Sequence, residues 1–182
     1  MTVVTVTAGA LPDLVRESPP GPGGCRLVTV DGWSGSGKSA LADRLGLALD
    51  APVLSIEELY PGWDGLAAAI PLAREWIAEP LFRGRAAFWW PWIWERDERS
   101  PVPRTQPCVP VVVLEGCGSG AAALRPFTST AIRVDCPPGE RERRLHARPD
   151  WPGYAPHRAR FLAQEHRYFP TAPEPDVVVR TW

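Results

Sequence analysis

One uninterrupted run governs what this chain can become: Gly32-Trp33-Ser34-Gly35-Ser36-Gly37-Lys38-Ser39, which fits G-x-x-x-x-G-K-[ST] without a gap. Glycines let a backbone curl until successive N–H groups converge on one anion. A helix that starts directly after such a loop adds its own free amides and the positive end of its dipole. Lys38 is then in reach of the β- and γ-phosphates of a nucleotide, and the Ser39 hydroxyl can meet Mg²⁺. Gly32 through Ala40 are therefore the expected nucleotide-binding residues. At ordinary glycine usage, a chance match in a chain this long arises in about one case in a hundred or fewer. The flanks agree with the motif. Arg26–Asp31 is an apolar strand, and Ser39–Leu49 reads as a helix with Leu41, Leu45 and Leu49 along one face.

Composition adds an independent argument. Lysine and arginine together number 20, and Lys38 is the only lysine among them. Together with 22 prolines this reads as the codon bias of a GC-rich genome, which replaces lysine by arginine wherever either serves. A planar guanidinium and a compact ammonium on a flexible stem are not equivalent, so a site that needs the second resists the exchange. The surviving lysine lies inside the loop.

Around this centre the chain alternates strands and helices. Further strands are expected at Pro52–Ser55, Val109–Glu115, Ala131–Asp135 and Asp176–Val179. Helices are expected at Leu11–Glu17, at Leu66–Ala78 with a break or kink at Pro71, at Gly139–Arg148 and at Pro156–Phe169. The stretch from Glu57 to Pro107 reads as irregular or helical. Residues 1–25, with an alternating stretch at Thr2–Thr7 and a turn-rich Ser18–Gly24, form an N-terminal extension and linker; residues 26–182 form the domain. The predicted class is α/β: a mainly parallel sheet of about five strands flanked by helices.

Charge and cysteine usage narrow the partners. The net charge is −1 with a pI near 6.3, so no basic excess argues for nucleic acid. No apolar run approaches the roughly 18 residues of a membrane span. The first residues carry no charged-then-apolar leader pattern, which makes the cytoplasm the expected compartment. The four cysteines form no C-x-x-C pair, and neither they nor the three histidines have metal-ligand spacing.

Two acidic positions stand out. Glu115 ends a near-continuous apolar strand, where a carboxylate must find solvent, a partner or a metal; it is the expected second Mg²⁺ ligand beside Ser39. Glu57 and Glu58 follow the second strand at the sheet edge where ligands bind in open α/β folds, and either could accept the proton of an attacking hydroxyl. An ordinary helix start with favourably placed acids explains the same pair equally well.

In order along the chain, the loop at Gly32–Ser39, Glu57-Glu58-Leu59-Tyr60, Leu114-Glu115-Gly116 and the arginine-rich segment 141–148 resemble the uridine kinase family and related P-loop nucleoside kinases. The resemblance spans roughly residues 26–169 and is sharply specific only in the loop. It implies a P-loop NTPase fold of the nucleoside and nucleotide kinase type, with ATP and Mg²⁺ as cofactors and a small-molecule phosphoryl acceptor such as a nucleoside. In that family an Asp-x-Phe-Tyr segment carries the catalytic base; Glu57 falls at the aspartate and Tyr60 at the tyrosine. Lid arginines that neutralise the transferring group match Arg144 and Arg148 best, with Arg141 and Arg143 beside them. Solvated i,i+4 pairing, as between Glu140 and Arg144, accounts for part of that cluster.

The leading expectation is thus a kinase in which Lys38, Glu57, Arg144 and Arg148 act on the phosphoryl group. The rival is a nucleotide-dependent binding or regulatory protein with little catalysis, a reading favoured by glutamate standing where the family has aspartate. The tryptophan-rich segment Phe88–Trp94 lies where related kinases hold the acceptor. It reads either as a stacking surface or, for most of its rings, as core. The sequence leaves the acceptor and the oligomeric state open.

Overall fold

In the computed structural model, residues 4, 5 and 8–181 are described. The chain runs through β1 (Val4–Thr5), α1 (Leu11–Glu17), β2 (Arg26–Gly32), α2 (Lys38–Leu49) and β3 (Val53–Ser55). A helical stretch then comprises α3 (Leu66–Ala73), a widened turn over Arg74–Ala78 and α4 (Glu79–Phe82). Four short strands follow: β4 (Ala87–Trp89), β5 (Trp92–Ile93), β6 (Glu98–Arg99) and β7 (Arg104–Gln106). The remainder is β8 (Val111–Glu115), β9 (Thr130–Asp135), α5 (Pro138–His146), α6 (Trp151–Tyr154), α7 (Arg158–Tyr168) and β10 (Val177–Arg180).

The main sheet is six-stranded and parallel at every pairing, in the order β1-β10-β9-β2-β8-β3. Its five longer strands are the five expected. The sixth, β1, comes from the alternating N-terminal stretch and pairs Val4 with Val177; Thr2, Val3, Val6 and Thr7 lie outside the described residues. Register places the chemistry. Val30 and Ser55 both lie opposite Glu115, so the loops leaving β2, β3 and β8 open on one sheet edge.

Side-chain alternation along β2 splits the core into two layers. Val28 and Val30 face Leu11, Val15, Leu41 and Leu45 of α1 and α2. Leu27 faces the other side, with Leu54, Ile56, Leu114 and Phe161. The Arg16 guanidinium donates to the Ala48 carbonyl at 2.9 Å, pinning α1 to the end of α2.

Two expectations change here. Pro71 does not break its helix; it sits inside α3, and the irregularity falls at Arg74–Ala78, where the Glu79 N–H donates to the Arg74 carbonyl five residues back. Pro80 has no N–H to offer the Trp76 carbonyl, so the ladder widens ahead of it. The segment from Glu57 to Pro107 also contains strands. β4 pairs with β7, and β5 with β6, each antiparallel. Short aromatic strands of this kind need external anchors. Trp89 Nε1 donates to Glu58 at 2.7 Å, and the Arg99 guanidinium lies between the rings of Trp76 (5.3 Å) and Trp92 (5.5 Å).

Candidate active site

The phosphate loop leaves β2 at Gly32 and enters α2 at Lys38. Gly35 and Gly37 have φ of 79° and 92°, in the left-handed region that glycine takes without strain. A Cβ on Gly35 would also lie 2.5 Å from the Arg141 carbonyl oxygen, because α5 crosses the loop there. No side chain caps α2, so its first amides stay free for an anion.

Lys38 is only 6% exposed. Its Nζ lies 3.9 Å from Glu57 Oε1. Burial opposes its charge, but the carboxylates of Glu57, Glu115 and Glu165 prevail and hold its pKa above the usual lysine value. Ser39 Oγ donates to Glu115 Oε2 at 3.0 Å. Burial, joined by repulsion from Glu57, raises the Glu115 carboxyl above the usual range; Lys38 and the hydroxyls of Ser39 and Ser55 pull the other way. A hydroxyl and a carboxylate this close are hard oxygen donors that suit Mg²⁺, which commonly takes one or two protein ligands and completes its sphere with phosphates and water.

The two adjacent glutamates part company. Glu58 is engaged by Trp89 Nε1 and by the Arg104 guanidinium, so it anchors the tryptophan-bearing strands. Glu57 turns to Lys38 and lines a cleft of about 500 Å³ whose walls include Tyr60, Trp63, Trp94, Tyr154 and Phe161. Tyr60 is buried, and its hydroxyl donates to the Cys117 carbonyl at 2.5 Å.

The arginines divide as well. Arg148 lines the cleft with Lys38 and Glu57, held by Asp150 through Nε at 2.8 Å. Arg144 is turned to structure: it donates to the Ser36 carbonyl at 3.1 Å, to Thr181 and to Glu140. That pairing with Glu140 is the expected i,i+4 contact, and the bond to the Ser36 carbonyl ties Arg144 to the loop. Arg143 pairs with Glu140 at the surface. The buried Arg141 guanidinium stacks on Trp33 at 4.8 Å, and the same ring meets Phe169 at 4.4 Å and His166 at 5.0 Å.

Two buried carboxylates at the loop were not expected. Asp31 accepts from the N–H groups of Gly32 (2.8 Å) and Gly118 (3.1 Å) and from the Tyr168 hydroxyl (2.5 Å). Glu165 of α7, fully buried, accepts from the Ser34 N–H at 2.6 Å and from Arg158 at 3.2 Å. The available signal for the second was an acid and an arginine one heptad apart on an otherwise core-facing helix stripe.

No protein-family model matches the sequence, and no curated protein matches it in sequence. Solved structures do match in shape. A candidate uridine kinase from Bacillus stearothermophilus superposes with a TM-score of 0.62 at 19% identity, over 94% of this chain and 96% of that one. A candidate fructose transport system kinase from Silicibacter sp. TM1040 gives 0.66 at 22% identity, over 95% and 98%. The fold is that of the P-loop kinases. Both superpositions cover nearly the whole chain, and the aromatic cleft opens on the edge of the sheet that carries the phosphate loop.

Proposed function

We propose that this chain is a Mg²⁺-dependent kinase that moves the γ-phosphoryl group of ATP to a hydroxyl of a small molecule. The observation that carries the reading is the Glu57 carboxylate, 3.9 Å from Lys38 Nζ and lining an aromatic cleft beside the phosphate loop. A bare nucleotide-binding module has no need of a proton acceptor there. Kinase-fold structures with similar chain-wide topology support the same class.

The chemistry follows from placement. ATP phosphates bind the loop amides and Lys38, with the γ-phosphorus towards the cleft. The acceptor hydroxyl gives its proton to Glu57 as its oxygen bonds to that phosphorus. The bond to the β,γ-bridging oxygen breaks, and ADP leaves with the electron pair. Arg148 lies on the cleft wall to offset charge on the transferring group. Ser39 and Glu115 would hold Mg²⁺, which when bound neutralises β- and γ-phosphate charge.

An ADP-release screen over nucleosides, sugars, amino alcohols and vitamins tests this. Turnover above buffer for one acceptor class, lost in Glu57→Gln, is the expected result. Absence of any stimulated turnover, with Glu57→Gln equal to wild type, would leave nucleotide-dependent binding as the function.

A further inference from the structure

The geometry points to an acceptor that carries a positive charge, an amino or quaternary-ammonium alcohol seated in an aromatic corner edged by carboxylates; this rests on the kinase reading above. The first support is the shape of the aromatic wall. Trp63 meets Trp94 at 4.9 Å and 53°, and Tyr154 at 5.8 Å and 47°. One face of Trp63 is already covered by His157, stacked at 4.1 Å and 7°. A flat base held between rings needs two parallel faces a ring's thickness apart. These rings touch one another at steep angles instead, which makes a concave corner and not a slot. Corners of this kind present several negative ring faces to one point and suit a compact cation. A guanidinium already uses the wall: Arg148 Cζ lies 5.9 Å from the Tyr154 ring centroid.

Charge gives the second support. The cleft is lined by two cations, Lys38 and Arg148, and three acids, Glu57, Glu95 and Asp150. Each cation has a carboxylate partner: Glu57 lies 3.9 Å from Lys38, and Asp150 accepts from Arg148 at 2.8 Å. Nucleotide phosphates draw on both cations. The carboxylates they leave, all exposed, then face a cleft with no other positive side chain on its lining, and their field favours a cationic occupant over a neutral one. An ammonium group compensates that negative charge and lies within reach of the aromatic corner. A hydroxyl a few bonds away on the same small molecule is what Glu57 would deprotonate.

Choline and 3,3-dimethyl-1-butanol test the idea, because they share shape and hydroxyl and differ only in nitrogen cation against carbon. Calorimetric titration of each into the full chain, saturated with Mg²⁺ and a non-hydrolysable ATP analogue, is expected to give about tenfold tighter binding of choline. That preference should shrink in Glu95→Gln and in Trp94→Ala, both variants of exposed residues that leave the core intact. Equal binding of the two alcohols, or a preference unchanged in both variants, overturns the proposal. ADP release run in parallel separates the two levels of inference. Charge-selective binding without turnover of any amino alcohol counts against phosphoryl transfer alone, whereas turnover confined to neutral alcohols counts against the charged acceptor alone.

Discussion

The backbone N–H of Ser34 donates to Glu165 Oε1 at 2.6 Å across 131 positions of sequence. A carboxylate fixed to a phosphate-binding loop is a costly partner, since it adds negative charge where a nucleotide brings more. Arg158 meets that cost by donating to Glu165 Oε2 at 3.2 Å while also pairing with Glu142 on α5. The loop, α7 and α5 thereby share one network, with Glu165 and Arg158 at its centre.

Replacing Glu165 separates its two jobs. Glu165→Gln keeps an oxygen for the Ser34 N–H but gives up the charge facing Arg158, and is expected to lower stability by about 1.5–3 kcal/mol in urea unfolding. Glu165→Ala also surrenders the acceptor. Calorimetry should therefore find ATP bound more weakly by the alanine variant than by the glutamine variant. Equal affinities would mean that the loop keeps its curl without Glu165.

Lys38→Arg tests the meaning of the lone lysine directly. The Nζ atom sits in a buried pocket beside Glu57, and the side chain is 8% exposed. A guanidinium preserves the charge but is wider and planar, so it cannot occupy that position without displacing the loop. ATP affinity is expected to fall about tenfold or more while the thermal midpoint changes little. Retention of wild-type affinity would make the composition argument a coincidence.

Glu57 and Glu58 should respond in opposite ways. With an acceptor in hand, Glu57→Gln is expected to lower kcat by about 10²–10⁴ with little effect on ATP binding. Glu58→Gln weakens the tie to Trp89 and Arg104 and should cost about 1 kcal/mol in unfolding while kcat stays within a few-fold. Similar kcat losses from both variants would remove the special standing of Glu57.

This pair also marks the boundary of what the sequence discloses. The phosphate loop is contiguous, its residues act through their own backbone, and its flanks carry clear periodicity, so Gly32–Ser39 and the parallel sheet were legible. Glu115 stood out as a strand-end acid in an apolar run; that Ser39 Oγ donates to it is visible only in the structure. Which of two adjacent glutamates faces Lys38 depends on Trp89 and Arg104, strands that no periodicity announced because each is two or three residues long. Arg144 was expected over the phosphates; what the sequence did not disclose is that it donates to the Ser36 carbonyl and to Thr181, the latter 37 residues away. Asp31 and Glu165 were missed for the same reason, since each takes its meaning from a partner more than a hundred positions distant.

The buried Asp31 makes stability depend on pH in a definite direction. Burial raises its carboxyl above the ordinary 3.8, against the hydrogen bonds from Tyr168, Gly32 and Gly118 and the nearby charge of Arg133. A folded-state value above the unfolded one means that the folded chain holds the proton harder. The contribution of Asp31 is therefore fully present below 3.8 and is lost as pH rises through the folded value. Asp31→Asn cannot titrate, so the stability of wild type relative to this variant should decline as pH rises through the acid range. Tyr168→Phe removes the donor to Oδ2 and should cost about 1–3 kcal/mol, most of it where Asp31 is ionised. It also raises the folded-state value further, so its own pH dependence should be steeper than that of wild type. Urea unfolding of the three proteins from about pH 4 to pH 7 decides the matter. A wild-type-minus-Asn difference that is flat or grows with pH would show that Asp31 is held as readily ionised as a surface carboxylate.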